Sequence, residues 1–535
     1  MKNTSIDLYQ IDGFDMQRYI DLYRENTNEK DVKEYKPFIP MAEFRYRSNE
    51  IGKEEYLKLK AQEELMLRPE LKHYDKKRGV LKSTDKIEAK CKYLQDALIR
   101  RAYSKKDTMS FSLSASILKA VVGHEYKQML ETFTEMGYLK RGSDFKTDAV
   151  KKEQMFSIGE HSTMFTLVCD KVIKVPCNNA SIIKYKVKTK EEYEKMRDLA
   201  LKEVDAKYGK TFREHYITSL KKITIEDEQG LFSYINKQVS EDDNKYYYYR
   251  FVVEALKDKN KTINRIDNAG RMYHCLTNLE RELKTYLNID FALDCKNSHP
   301  LLFNYFIFKH YNISISSSYN IISHIKSYSN EASKCLVHNV GKEFRKLLII
   351  NDIENTEVAK LKDDEIEYIY LTCTGQLWDD ITSRHPDMDR NEVKVQMFQE
   401  VFYSNTPYAY HWKEYAVEFK KQFPNVYAMI GAWKANKQSD EIKEYMKSRG
   451  LKVEKATASL SVAMMNLEAQ IFTTILNRLY AKRWNAIHIH DCIVIPKDNN
   501  KNHPTKDQVR AIMEDVYKEF GLCPTLREFN IKLYN

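Results

Sequence analysis

Two short apolar runs in this chain each deliver a carboxylate to their end. Phe291-Ala292-Leu293-Asp294 reads as a β-strand terminating in Asp294. About two hundred residues later, the run from Ala486 to Pro496 reads as a hairpin with His490-Asp491 at its tip. A carboxylate in such a setting is costly to bury unless it binds a cation. Two of them on adjacent strands would hold two Mg²⁺ ions, with Mn²⁺ as a substitute, and such ions can activate a 3′-hydroxyl and neutralise a leaving pyrophosphate. Either aspartate alone would most simply be a turn residue. A third element adds weight: Asp389 opens a helix on which Arg390, Lys394, Phe398 and Phe402 recur every four residues. Cations are costly to bury, so this stripe is not a core stripe. It suits a surface where Arg390 and Lys394 meet triphosphate oxygens while Phe398 packs near a base or sugar. An amphipathic helix with a basic top is the plainer alternative.

The elements that must position these residues belong to a chain of 535 residues, long enough for about three domains. With 42% hydrophobic and 31% charged residues, packed cores are expected and disorder is not. No apolar stretch approaches the ~20 residues of a membrane span, and the first residues lack the apolar core of a signal peptide. Together these predict a cytoplasmic protein with no membrane partner. The net charge of +10 permits a nucleic-acid partner without requiring one. Nine scattered cysteines contain no C-x-x-C pair, which argues against zinc and for a reducing compartment. Neither GxGxxG nor GxxxxGK[ST] occurs, so any triphosphate must be held by metals and cationic side chains.

Along the chain, residues 1–105 are charged, Tyr-rich and helix-compatible, with a loop at Pro37 and Pro40. Within 106–178, helices are expected over Ser114–Val122 and Glu125–Met136, separated by Gly123-His124 and closed by Gly137. Strand-like residues follow from Phe156 to Ile173, with a turn near Gly159. Helix, turn, helix and hairpin is winged-helix order; either the second helix reads DNA or the segment is purely structural. Residues 179–262 are predicted helical, with alternating lysines at 184, 186, 188 and 190 that suit either a phosphate backbone or a solvated face. The remainder, 263–535, carries the chemistry.

At this point the pattern Arg390-x-x-x-Lys394-x-x-x-Phe398 between two Asp-bearing strands, the second reading His490-Asp491, resembles the A, B and C motifs of family A (polymerase I-type) DNA polymerases and single-subunit phage RNA polymerases. Gly270-Arg271 followed by Asn278 is similar to the family's segment before motif A, and Ala463 to Gln470 to the helix before motif C. The resemblance covers roughly residues 265–535. It implies that Asp294 and Asp491 bind metal, with Cys295 offering its backbone carbonyl. Lys394 would contact the triphosphate and act as general acid toward pyrophosphate, with Arg390 as its partner on the phosphates. Phe398, Phe402 and His299 would surround the nucleotide, and Arg271, Asn278, Asn466, Gln470 and His490 would contact the primer-template duplex. The implied fold is a helix-dominated α+β right hand. Its palm would be a small antiparallel sheet built from 285–303 and 485–497, with a helix at 505–520. The fingers would span about 305–450 and a helical thumb would fall in 179–262.

The sequence departs from the family in several places. Cys492 stands where a carboxylate often follows His-Asp, and the motif B tyrosine position is Phe402, with Tyr403 next to it. The glycine after that tyrosine is missing, and the spacing to Arg390 implies an insertion at about 305–375. His299 stands five residues after Asp294, where the DNA enzymes usually carry Glu. A bulky His299 beneath the ribose, and a Phe402 unable to hydrogen-bond a 2′-hydroxyl, would both favour deoxynucleotides. No Asp-x-Glu precedes Asp294, so no family A exonuclease site is expected. The leading expectation is a DNA polymerase of a phage, plasmid or mobile element in a bacterial or phage-infected cell, taking primer-template and dNTPs. The alternatives are a single-subunit RNA polymerase or primase, a DNA-binding replication initiator with an inactive polymerase half, and a two-metal nuclease.

Overall fold

β8 (Ile289–Cys295) is the strand around which the chemistry-bearing half is built, and all of it except Asp290 is buried. The computed structural model describes residues 6–33, 52–66, 84–104, 109–112, 114–142, 164–169, 171–239, 244–267, 269–328, 340–384, 389–404, 411, 413–435, 459–498 and 502–528. Among them the chain is helix-dominated α+β with small antiparallel sheets. It divides into two compact units. One gathers Met1–Asp144, His161–Met196 and Val239–Phe251, the other Phe145–Glu160, Arg197–Gln238 and Val252–Asn535. The segment 179–262, expected to be one helical piece, is helical but is shared between the units.

In the first unit, β1 (Ile6–Ile11) pairs antiparallel with β5 (Val172–Cys177). Its backbone also donates to side chains of the helix Thr84–Tyr103. Tyr9 N–H reaches Asp96 at 3.0 Å, and Ile11 N–H reaches Gln95 at 3.0 Å. Asp96 tolerates burial because Arg100 on the next turn pairs with it at 3.0 Å. A three-stranded sheet in the order β2 (Ser110–Ser112), β4 (Met164–Leu167), β3 (Leu139–Arg141) accompanies the helices Ala115–Val122 and Tyr126–Glu135. Ser114 caps the first helix, and Gly137, at φ +83°, lets the chain turn sharply after the second. The expected turn near Gly159 lies outside the described residues. The second helix buries Met129, Leu130, Thr132 and Phe133. Its outward positions include Lys127, Glu131 and Glu135.

In the second unit β6 (Arg265–Ile266) pairs with β7 (Met272–Tyr273). The main sheet runs β11-β8-β10-β9, all antiparallel, with β9 at Ile487–Ile489, β10 at Cys492–Pro496 and β11 at Leu526–Glu528. The helices Lys210–Lys222 and Ser459–Ala481 pack against β9. The helix Lys506–Glu519 packs on Ser459–Ala481, capped by a reciprocal Thr505–Gln508 pair. Phe291, Leu293, Ile493 and Ile495 fill the sheet's interior, each contributing about 1.5–3 kcal/mol by burial. The described residues within 298–435 are largely helical, centred on the buried helix Asp363–Cys373, against which Ser298–His310, Ile315–Ser327, Val340–Ile350 and Pro424–Ala435 pack. Among the described residues no helix is long and apolar enough to cross a membrane.

Candidate active site

The two aspartates converge because β10 lies beside β8. Cys492 faces Asp294 in the ladder, and Cys295 N–H donates to the Asp491 carbonyl at 3.1 Å. The turn carrying Asp491 is therefore seated on the end of β8. β9 and β10 meet at Ile489 and Cys492, which leaves His490-Asp491 as a two-residue turn. His490 takes φ +55°, a left-handed conformation that such turns demand and that histidine tolerates better than most residues. It is exposed as a result.

Asp294, Asp491, His299, Arg390, Lys394 and Phe398 line one pocket of about 130 Å³. Asp389 caps the helix Arg390–Met397, accepting from the Glu392 N–H at 3.2 Å, and Arg390 is steadied by Asp379 at 2.6 Å. Lys394 stands over the Phe398 ring at 5.9 Å, and Phe398 packs against Trp378 with centroids 5.4 Å apart.

The four-residue spacing fails at its last member. The helix widens into a π-turn over Phe398–Phe402, which adds one residue to the turn and rotates the side chains beyond it. Phe402 is consequently buried against Phe419 and does not line the pocket, contrary to its expected place beside the nucleotide. Tyr403 turns toward His299 instead. It stacks on Phe398 with centroids 4.9 Å apart, and its hydroxyl bonds His299 Nδ1.

Beneath His299 is a buried charge network that the sequence pattern does not reveal. Glu468, from the helix Ser459–Ala481, lies 3.0 Å from His299 Nε2 and accepts from Arg271 at 2.7 Å. Arg271 also lies 2.6 Å from His299 Nε2, so the three groups form one cluster. Arg271 can only donate and the Glu468 carboxylate can only accept, so His299 Nε2 serves one of them according to its tautomer, and Nδ1 takes the complementary role toward the Tyr403 hydroxyl. Burial alone would raise the Glu468 carboxyl, but Arg271 and then His299 hold it down to about 2. Glu468 does not line the pocket that holds Asp294 and Asp491. The one sequence hint is that Glu468 interrupts the mostly apolar run Met464–Ala469. Arg271, expected on the duplex, has its guanidinium committed to Glu468. Gln470 is exposed, Asn466 is half-buried, and the two bond each other at 3.0 Å. Asn278 is exposed.

Cys295 is buried, with its thiol pushed up by that burial, so only its carbonyl could serve a hard cation. The available donors are thus oxygens, and oxygen is what Mg²⁺ or Mn²⁺ requires. Burial first, then the Asp294 and Glu468 carboxylates, push Asp491 up to about 7, partly countered by Lys394. A divalent cation beside Asp491 would relieve that opposition to its ionisation. Two carboxylates would leave the rest of its shell to water, carbonyl and phosphate oxygens. Among the described residues no group of three or more His, Cys, Asp and Glu side chains is arranged to hold a metal ion.

The raised Asp491 value has a thermodynamic sign. In the unfolded chain this carboxyl ionises near its ordinary 3.8, whereas in the fold ionisation is opposed until about 7. The metal-free protein should therefore lose stability as pH rises through that window. A bound cation should return it. We expect Mg²⁺ or Mn²⁺ to raise the melting temperature more at pH 8 than at pH 5. An equal rise at both values, by calorimetry, would exclude Asp491 as the ligand responsible.

No known family model matches the chain, and no curated protein matches it.

Proposed function

We propose that this chain is a template-directed DNA polymerase that adds deoxynucleotides to a primer 3′ end with two divalent cations, and that it resembles the family A enzymes in using a right-hand arrangement. One observation carries the reading: the acids Asp294 and Asp491, distant in sequence, line the same pocket as the cations Arg390 and Lys394. Carboxylates for metal beside cations for phosphate suit nucleotidyl transfer better than hydrolysis, which has no need for a triphosphate cradle. When bound, the cations would lower the pKa of the 3′-hydroxyl and offset charge on the leaving pyrophosphate. Arg390 and Lys394 would hold the triphosphate, with Lys394 placed to give a proton to the leaving pyrophosphate. In this reading the β8–β11 sheet is the palm, the helices within 298–435 belong to the fingers, and the thumb falls among the helices of 197–238.

The sugar would meet His299, Tyr403 and Phe398. His299 is fixed from both sides, by Glu468 and Tyr403, and so cannot swing aside to admit a 2′-hydroxyl. This favours deoxynucleotides over the RNA-polymerase reading. His299→Ala should lower discrimination against ribonucleotides by at least ~10-fold, as expected when a steric block worth a few kcal/mol is removed. Competition assays with dNTP and NTP mixtures measure it, and an unchanged incorporation ratio would remove His299 from sugar selection.

The decisive assay offers primed and unprimed templates with dNTPs or NTPs, with and without Mg²⁺. Mg²⁺-dependent extension of the primed template by dNTPs is expected. Unprimed RNA synthesis would favour a primase, and no product under any condition would leave an inactive DNA-binding protein.

A further inference from the structure

Asp294 already has a cation. Arg527, on β11 directly opposite it, donates from Nε to Asp294 Oδ2 at 2.7 Å. The strand beneath Arg527 is firmly held. Arg510 bonds the Leu526 carbonyl at 3.0 Å, Thr525 donates to the Cys373 carbonyl at 2.7 Å, and Glu528 pairs with Lys506 at 2.6 Å. The guanidinium is different: its side chain is 47% exposed, while that of Asp294 is 12% exposed. Arg527 also lines the pocket that holds Arg390 and Lys394. A fixed backbone with a half-exposed, rotatable head is suited to exchanging partners.

Mg²⁺ takes oxygen ligands at ~2.0–2.1 Å. A guanidinium hydrogen-bonded to the same oxygen would sit within a few ångströms of such an ion and repel it. The two cations therefore compete for Asp294. Once displaced, Arg527 has a ready acceptor in the phosphate oxygens of a nucleotide, with which guanidinium forms strong charge-assisted bonds.

Building on the polymerase reading, we propose that Arg527 is a resident counter-ion of Asp294 that gives up its place when a divalent cation loads and then becomes a third cationic contact for the triphosphate, beside Arg390 and Lys394. The contact comes from β11, outside every motif that carries the family resemblance.

Mn²⁺ binding to the full-length, nucleotide-free protein, followed by electron paramagnetic resonance, tests the first half. Arg527→Gln should tighten Mn²⁺ binding by about 2- to 5-fold, the range set by losing one partly exposed ion pair. Arg527→Lys, which keeps the competing charge, should stay near the parent. For the second half, Arg527→Gln should weaken binding of a non-hydrolysable dNTP analogue in the presence of saturating Mn²⁺ by about 10-fold, and Arg527→Lys should recover part of it. Unchanged or weaker Mn²⁺ binding in Arg527→Gln overturns the counter-ion role, and unchanged analogue binding overturns the transfer to phosphate. Asp294→Asn separates the two levels of failure. If it abolishes Mn²⁺ binding while Arg527→Gln changes nothing, only the Arg527 inference falls. If Asp294→Asn binds Mn²⁺ like the parent, the metal-site reading falls and takes this inference with it.

Discussion

Asp491→Asn should reduce primer extension by at least ~10³-fold and at the same time raise the melting temperature of the metal-free protein. The first effect follows from removing one of two carboxylates that would hold the cations, whose contribution to stabilising developing charge amounts to several kcal/mol; each 1.36 kcal/mol is a factor of about ten in rate. The second follows from the electrostatics of the pocket, where burial and the Asp294 and Glu468 carboxylates oppose ionisation of Asp491. Asparagine keeps the shape and removes the repulsion. A variant that is more stable and inactive is the signature of a group held in place for function against its own preference. DNA affinity should change little, since Asp491 adds no positive charge for phosphates to lose. Calorimetry and single-turnover extension on one preparation measure the pair of outcomes. A destabilised Asp491→Asn would mean that Asp491 serves the turn between β9 and β10, and substantial residual extension would remove it from the metal site.

Glu468→Gln should have the largest effect on stability. Glu468 is 3% exposed and pairs with both Arg271 and His299. Removing one member of a buried ion pair strands the other and typically costs about 3–5 kcal/mol. For a unit of this size that is roughly 4–7 °C in melting temperature. The pH dependence has a definite sign. Because the Glu468 carboxyl is held at about 2, below its ordinary 4.5, its contribution is present above pH 4.5 and is lost as pH falls toward 2. The variant should lack that acid-side slope. Adding Arg271→Met to Glu468→Gln should recover much of the loss, because the stranded charge goes with its partner. If the single variant melts within about 2 °C of the parent, the cluster contributes less than a buried ion pair should. The same change should loosen His299 and so lower sugar discrimination, which links the buried pair to the pocket above it.

Residues legible from sequence are those whose chemistry and local geometry coincide. Asp294 at the end of an apolar run, His490-Asp491 between two apolar runs, and Arg390 with Lys394 on one helical face need only nearest neighbours to be read. The place of Phe402 is not legible because a π-turn carries no compositional mark. The helix Arg390–Met397 and the turn after it look alike in sequence, and only the packing of Phe402 on Phe419 reveals the extra residue. β11 is hidden because Leu526-Arg527-Glu528 is too short to alternate recognisably; it becomes a strand by pairing with β8. Glu468 is hidden for a similar reason, since its partners Arg271 and His299 are far away along the chain. The sharing of 179–262 between two units is set by long-range packing, which local propensity does not record.

The order of strands in the main sheet has a consequence for how the protein is made. β8 emerges from the ribosome about two hundred residues before β10 and β11, the strands that flank it on both edges. At ~5–20 residues per second, translation leaves it unpaired for roughly 10–40 s. During that interval a largely apolar segment with two open edges is available to other nascent chains, so newly synthesised copies should depend on chaperones far more than the finished protein's stability would suggest.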